Sequence, residues 1–300
     1  MDFSVMSICR YFEIIHIHIA NIDNLRLGKI KVNMQTKLIE FKNQNDEILR
    51  GIVTSPDNKP RASAVFLQGF ERNATVEKKS KMTAGELAER GIVSLRYDAA
   101  GCGLSDGDFS KFTLNGRAQE LSKALEVFQN EFGGLKINFV AHSLGMCPLA
   151  LVLNEIKPLI NKMVFIAPAL NQKDLMRFYF VRDSMKEEKR QAKITWDNYK
   201  QYLNEDKFLQ DCARAGKMVR ENYINPDYFM EAKDFDFSHN FDEIKEKVLH
   251  VHGEFDLSVP LESLNVKFPN RIIVKGGDHD LERPDFWGQW FSQAVEFLTE

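Results

Sequence analysis

The chain has 300 residues, 44% of them hydrophobic, and a formal net charge of −3, enough apolar material for one large core or a core with a satellite module. The isoelectric point near 6.2 argues against a nucleic-acid binder, which would carry a basic stripe. Cys9, Cys102, Cys147 and Cys212 are scattered without C-x-x-C spacing, and no H-E-x-x-H occurs, so no disulfide framework, metal or other cofactor is expected and a reduced, cytoplasmic setting fits best.

Residues 1–33 contain an apolar stretch from Tyr11 to Ala20 that Glu13, His16 and His18 interrupt. It falls short of the roughly 20 apolar residues of a membrane-spanning helix, and no small-residue cleavage site follows. The extension is read as dispensable to a soluble domain that begins at Met34.

From Met34 onward the apolar pattern alternates between strand and helix. Strands at 36–42 and 48–54, joined by a polar turn, form a hairpin. A buried strand at 62–68 precedes a helix over 76–90 that Gly91 closes. A strand at 92–97, a helix at 114–132, a strand at 137–141, a helix from Ser143 to about Ile156 and a strand at 163–166 follow. Residues 169–246 break the rhythm: they are rich in charge and aromatics, with no convincing buried strand, and read as a helical insertion. Strands resume at 248–251 and 271–275, and a helix over 284–298 ends the chain. Strands separated by helices imply right-handed crossovers and a mostly parallel sheet covered on both faces, an α/β fold. Residues 34–168 and 247–300 form its core and 169–246 its insert.

The strongest local signal is Phe139-Val-Ala-His-Ser-Leu-Gly145. An apolar strand runs into a serine flanked by small residues, and a helix begins at once. A serine hydroxyl is a weak nucleophile unless it is held exposed beside a base. A sharp strand-to-helix turn does this, and it leaves the next N–H free at a positive helix end. The blander reading makes Ser143 a helix N-cap.

Two downstream segments favour catalysis. Val248 to Pro260 is a strand, a glycine turn and then Asp256; Ile272 to Asp280 is a strand, a glycine turn and then His279. In a parallel sheet both fall past strand C-terminal ends, the edge that carries Ser143. His279 is therefore the expected base and Asp256 the acid that orients it. His250 and His252 compete as bases, but they lie within the strand, before the turn. Backbone donors for an oxyanion are expected from Leu144 N–H and, in the loop after 62–68, from Phe70 N–H.

Together these residues resemble the α/β-hydrolase superfamily, from about residue 36 to the end with the insert excluded. The likeness is to its serine esterase and aminopeptidase-like branch, including bacterial feruloyl and cinnamoyl esterases, which have a helical cap at this place. Asp98-Ala-Ala-Gly-Cys-Gly-Leu-Ser105 is similar to that family's D-x-x-G-x-G-x-S segment, which implies structural roles for Asp98, Gly101, Gly103 and Ser105. Three positions depart: Gln68 and Cys102 replace histidines, and Ala141 replaces the first glycine of G-x-S-x-G. Glu71, beside the expected oxyanion hole, is expected to face solvent, with contact to a substrate cation as the alternative.

The expected activity is hydrolysis of a carboxylic ester through an acyl-enzyme on Ser143, without a cofactor. The small-molecule substrate is expected to carry an apolar or aromatic acyl group seated under the insert's aromatics. Thioester, peptide and carbon–carbon hydrolysis stay open, as does a catalytically silent protein that binds a partner through its insert. Partners are not expected to include nucleic acid or a spanned membrane, and the oligomeric state is open.

Overall fold

The computed structural model describes residues 34–187, 192–214, 216–219 and 222–300. The expectations for residues 1–33, and part of the charged run after Arg182, lie outside them.

Ten strands occur among the described residues: β1 (Met34–Lys42), β2 (Ile48–Pro56), β3 (Ala62–Leu67), β4 (Ile92–Tyr97), β5 (Ile137–His142), β6 (Ile160–Ile166), β7 (Lys217–Val219), β8 (Asn222–Ile224), β9 (Val248–Gly253) and β10 (Asn270–Val274). The helices are α1 (Lys78–Glu89), α2 (Leu114–Phe132), α3 (Met146–Leu151), α4 (Leu153–Ile156), α5 (Gln172–Glu187), α6 (Glu205–Ala213), α7 (Pro226–Ala232) and α8 (Pro284–Thr299). Eight strands form one sheet in the order β1-β2-β4-β3-β5-β6-β9-β10. Only the β1–β2 and β2–β4 pairs are antiparallel. The expected mostly parallel α/β architecture is present.

Burial follows position in the sheet. Every residue of β3, β4, β5 and β9 is buried, as strands covered on both faces require. The edge strand β1 is largely exposed and carries Lys37, Glu40 and Lys42, charges that discourage pairing with another chain. On one face Leu87 of α1 and Phe286, Trp290 and Leu298 of α8 pack against Phe66, Val164 and Val251. On the other, Leu121, Leu125 and Phe128 of α2 and Leu149 of α3 pack against Val65, Leu95 and Phe139.

The order β4-β3-β5 positions the site. After β3 the chain crosses to β4 on one side, then returns to place β5 on the other. Loops leaving β3 and β5 therefore diverge, opening a crevice at their C-terminal ends.

Two local expectations need correction. The helix expected from Ser143 is segmented: a 3-10 turn over Ser143–Gly145 leads into α3, and α4 starts after Val152. Ser143 has φ +53°, which no α-helical residue adopts, so the helix begins beyond it. The insert is not wholly helical either, because β7 and β8 pair antiparallel within it. Its residues Phe208, Tyr228, Phe237 and Phe241 join the same apolar cluster as β5 and α2. It also touches loops at the sheet's C-terminal edge. Asn225 N–H donates to Ser110 O at 2.9 Å, Asn171 Nδ2 to Ser263 O at 3.3 Å, and Tyr179 OH to Ser258 O.

At the far side of that edge the turns after β9 and β10 are packed backbone to backbone. A Cβ added at Gly253 would stand 2.2 Å from Asp278 O and 2.6 Å from Gly277 O, so only glycine fits. Gly253→Ala is expected to lower stability by about 2 kcal/mol, the scale of overpacking a filled site, and to move the two turns apart. Thermal unfolding of the variant beside the parent checks this.

Candidate active site

Ser143 stands where β5 ends. Its left-handed backbone is a conformation that costs a non-glycine residue about 1–3 kcal/mol and collects at functional sites. The surroundings enforce it. A Cβ at Gly145 would lie 2.5 Å from Leu67 O and 2.8 Å from Gln68 O, so the end of β3 presses directly on the turn. The methyl of Ala141 is accommodated in β5, fully buried opposite Leu67. Ala169 N–H donates to Ser143 O at 3.1 Å, tying the turn to the segment after β6. Ser143 itself is 8% exposed.

The loop after β3 lies beside this turn: a Cβ on Gly69 would stand 3.3 Å from Ser143 Cβ. Phe70 N–H has no acceptor among the described residues. Leu144 N–H belongs to the first turn of a helical run, where backbone donors lack intrahelical partners. Gly69, Phe70, Leu144 and Gly145 line one small concavity of about 30 Å³ with Phe112 and Arg117. Both expected oxyanion donors thus border the same space.

Past β9 and β10 the structure joins the other two expected residues. His279 Nδ1 lies 2.7 Å from Asp256 Oδ2. The Asp256 side chain is fully buried and accepts at Oδ1 from Ser258 N–H and Val259 N–H, each at 2.8 Å. Burial opposes its charge, but hydrogen bonds from His252 and His279, the positive field of His279 and the Val259 N–H outweigh that cost and hold its pKa at about 2. Phe255 N–H donates to Gly277 O at 2.8 Å and Glu254 N–H to Val274 O at 3.0 Å, which lock the two turns together.

Ser143 and His279 share this edge, but no hydrogen bond joins the Ser143 hydroxyl to the His279 ring among the described residues. Their segments meet through His142, whose Nε2–H donates to His279 O at 3.2 Å, with ring centroids 4.9 Å apart. His142 is held well below the usual histidine range, first by burial and then by Lys79, so it is a neutral ring here.

The sequence profile described as serine aminopeptidase, S33 (Hydrolase_4) matches residues 58–261. The chain belongs to the serine aminopeptidase S33 family. This S33 hydrolase has no match among curated proteins. Solved structures share its fold. Est1E from Butyrivibrio proteoclasticus with ferulic acid bound is 18% identical with a TM-score of 0.68, covering 87% of this chain and 97% of that one. GrgF, an α/β hydrolase from Penicillium sp. sh18, is 20% identical with a TM-score of 0.60, covering 88% and 98%. The esterase domain of a Rhodothermus marinus protein is 16% identical with a TM-score of 0.59, again covering 88% and 98%. The profile match ends before His279, so that residue rests on its geometry with Asp256.

Other residues of this hydrolase fall as expected or away from it. Asp98 is buried and accepts from Thr75 N–H and Leu104 N–H, both at 3.0 Å, while Ser105 Oγ donates to Asp98 O. That is a turn-building arrangement. Gln68 Oε1 accepts from Ala74 N–H and Ala99 N–H at 3.5 and 3.4 Å, bracing the loops after β3 and β4. Glu71 does not face solvent alone: it accepts from Asn222 Nδ2 of β8 at 3.0 Å.

Of the insert's aromatics, Phe178, Trp196 and Tyr199 pack on one another. Tyr228 instead meets Phe70 and Phe112, with centroids 5.9 and 4.8 Å apart.

Sequence reasoning set His252 aside as a competing base, whereas its Nε2 lies 3.3 Å from Asp256 Oδ2. The signal was available, since a histidine inside an apolar buried strand must find a partner. No helix among the described residues is long and apolar enough to cross a membrane.

The Asp256 carboxylate predicts an acid-limb effect. Its folded pKa lies below the unfolded one, so its stabilisation is complete above about pH 4 and is lost as the pH falls towards 2, in total about 2 kcal/mol. Asp256→Asn should flatten the stability profile between those values, as urea unfolding at stepped pH would reveal.

Proposed function

We propose that this hydrolase cleaves carboxylic esters through an acyl-enzyme on Ser143. The observation that carries the reading is the 2.7 Å bond between Asp256 and His279, at the same sheet edge as a serine held in a left-handed turn. In the proposed sequence Ser143 Oγ attacks the ester carbonyl as its proton passes to His279 Nε2. Asp256 keeps His279 Nδ1–H in place and stabilises the imidazolium. Negative charge gathers on the carbonyl oxygen, to which Phe70 N–H and Leu144 N–H donate. As the intermediate collapses, His279 returns the proton to the departing alcohol. Water then repeats the steps against the acyl-enzyme, releasing the acid and free Ser143. The contact between the serine and histidine must shorten for the first transfer, a tightening common when substrate fills a ligand-free site.

An ester is favoured over a peptide within the serine aminopeptidase family because Glu71, a carboxylate placed to meet a substrate ammonium, is already engaged by Asn222. The acyl group is proposed to lie towards Phe70, Phe112 and Tyr228, whose rings offer area at little polar cost. In this reading the insert is a cap.

Ser143→Ala should lower turnover of a 4-nitrophenyl ester by at least about 10³-fold with the fold intact, His279→Ala should match it, and the double variant should lose little more, since such residues act as a unit. A fluorophosphonate probe should label the parent at Ser143. Full esterase activity in Ser143→Ala, or labelling elsewhere, would sink the reading; faster cleavage of an aminoacyl 4-nitroanilide than of the ester would replace it with peptidase chemistry.

The insert shares the main apolar cluster, so a single substitution probes it more cleanly than deletion. Tyr228→Ala is expected to reduce kcat/KM for a bulky aryl ester by about 10-fold while sparing an acetate, because remote contacts position the scissile carbonyl. Equal losses for both esters would show that Tyr228 serves packing alone.

A further inference from the structure

Behind Asp256 lie two histidines that the hydrolytic steps do not use. His250 and His252 are two residues apart on β9, so their side chains share a face, and they are 2% and 0% exposed. Nothing about filling a core calls for imidazole there, and each ring nitrogen buried without a partner would cost free energy. Instead the nitrogens are connected. His250 Nε2 lies 3.0 Å from His252 Nδ1. His252 Nε2 lies 2.8 Å from Val259 O and 3.3 Å from Asp256 Oδ2.

The partners set the direction of this chain. Val259 O can only accept, so His252 Nε2 carries a proton. A His252 ring with its one proton at Nε2 accepts at Nδ1, and the donor is then His250 Nε2–H. Burial, first of all, holds His250 well below the usual histidine range, in keeping with a neutral donor. Asp256 Oδ2 therefore receives two N–H groups, one from His252 and one from His279.

We infer that His250 and His252 are positioning residues for the proposed triad: Val259 O fixes the Nε2–H tautomer of His252, His250 Nε2–H holds that ring in place at Nδ1, and His252 Nε2–H holds Asp256 Oδ2 where it meets His279. No proton travels along the chain. Its effect is to fix the carboxylate and to share its charge between two donors, which moderates the pull of Asp256 on the His279 proton. The inference rests on the triad reading given above. The charged and titratable groups around it are His252 and Arg271 facing His250, His250 and Asp256 facing His252, His252 and His279 facing Asp256, and Asp256 and His142 facing His279.

The test follows fluorophosphonate labelling of Ser143 against pH, with ¹⁵N-histidine spectra of the same proteins. In the parent, both His250 and His252 should be neutral Nε2–H rings through neutral pH. His252→Leu removes a donor to a charged acceptor and should lower the labelling plateau by about 10-fold or more. It should also move the acid-limb midpoint to higher pH, since Asp256 then pulls harder on His279. His252→Gln keeps an N–H near the Nε2 position and should recover most of the plateau and the midpoint.

His252→Leu leaves Val259 O unpaired and can fail to fold. His250→Leu keeps that bond and is the second arm: His252 should keep its Nε2–H signature, its Nδ1 resonance should move because the donor there is gone, and the plateau should fall. An unchanged midpoint in folded His252→Leu, an unchanged His252 spectrum in His250→Leu, or a cationic or Nδ1–H His252 in the parent would overturn the inference. Failure of the triad itself looks different, because the parent would then not be labelled at Ser143 at all.

Discussion

A carboxylate with no exposed side-chain surface must be surrounded by donors, and the C-terminal edge of this sheet is arranged around that requirement at Asp256. Two backbone N–H groups bind Oδ1, and two imidazoles meet Oδ2. Each donor depends on something larger. The backbone pair requires the tight turn after β9. His279 requires the turn after β10, and Gly253 lets the two turns touch without an intervening side chain. Loss of a donor would leave part of a buried charge unmet, far costlier than an exposed one. The order β6-β9-β10 then carries this assembly to the edge where β5 presents Ser143.

Much of the architecture was legible because its causes are local. Continuous apolar runs bounded by glycine turns gave β3, β4, β5 and β9, and amphipathic spacing gave α2 and α8. The same logic located Ser143, Asp256 and His279, since strand ends followed by glycine-rich turns are where a parallel sheet exposes side chains. Asp256 and His279 lie 2.7 Å apart, and the family match covers the Ser143 and Asp256 segments.

What escaped the sequence depends on contacts between distant segments. The start of α3 was misplaced because positive φ at Ser143 is imposed by β3 pressing on Gly145, a tertiary cause that serine's own propensity does not reveal. The β7–β8 pair went unnoticed because three-residue strands are too short to show alternation. Glu71 was expected in solvent because nothing near it in the chain announces Asn222, 151 positions further along. His252 was weighed only as a base, when its buried position called for a hydrogen-bond partner first.

Left-handed backbone outside glycine is found at Asp46, Glu71, Ser143, Ala167 and Leu281 among the described residues. All but Asp46 follow sheet strands at the edge that carries Ser143. Conformations this unfavourable persist only where neighbours over-determine them, so the loops there are held by the rigidity of the layers beneath. The edge is thus a loaded part of the molecule, and its shape is the first thing a softened core would release. Gentle heating or a mild core lesion should distort these loops while the sheet still stands, so that the enzyme would fall silent as a folded protein before it was lost as an unfolded one.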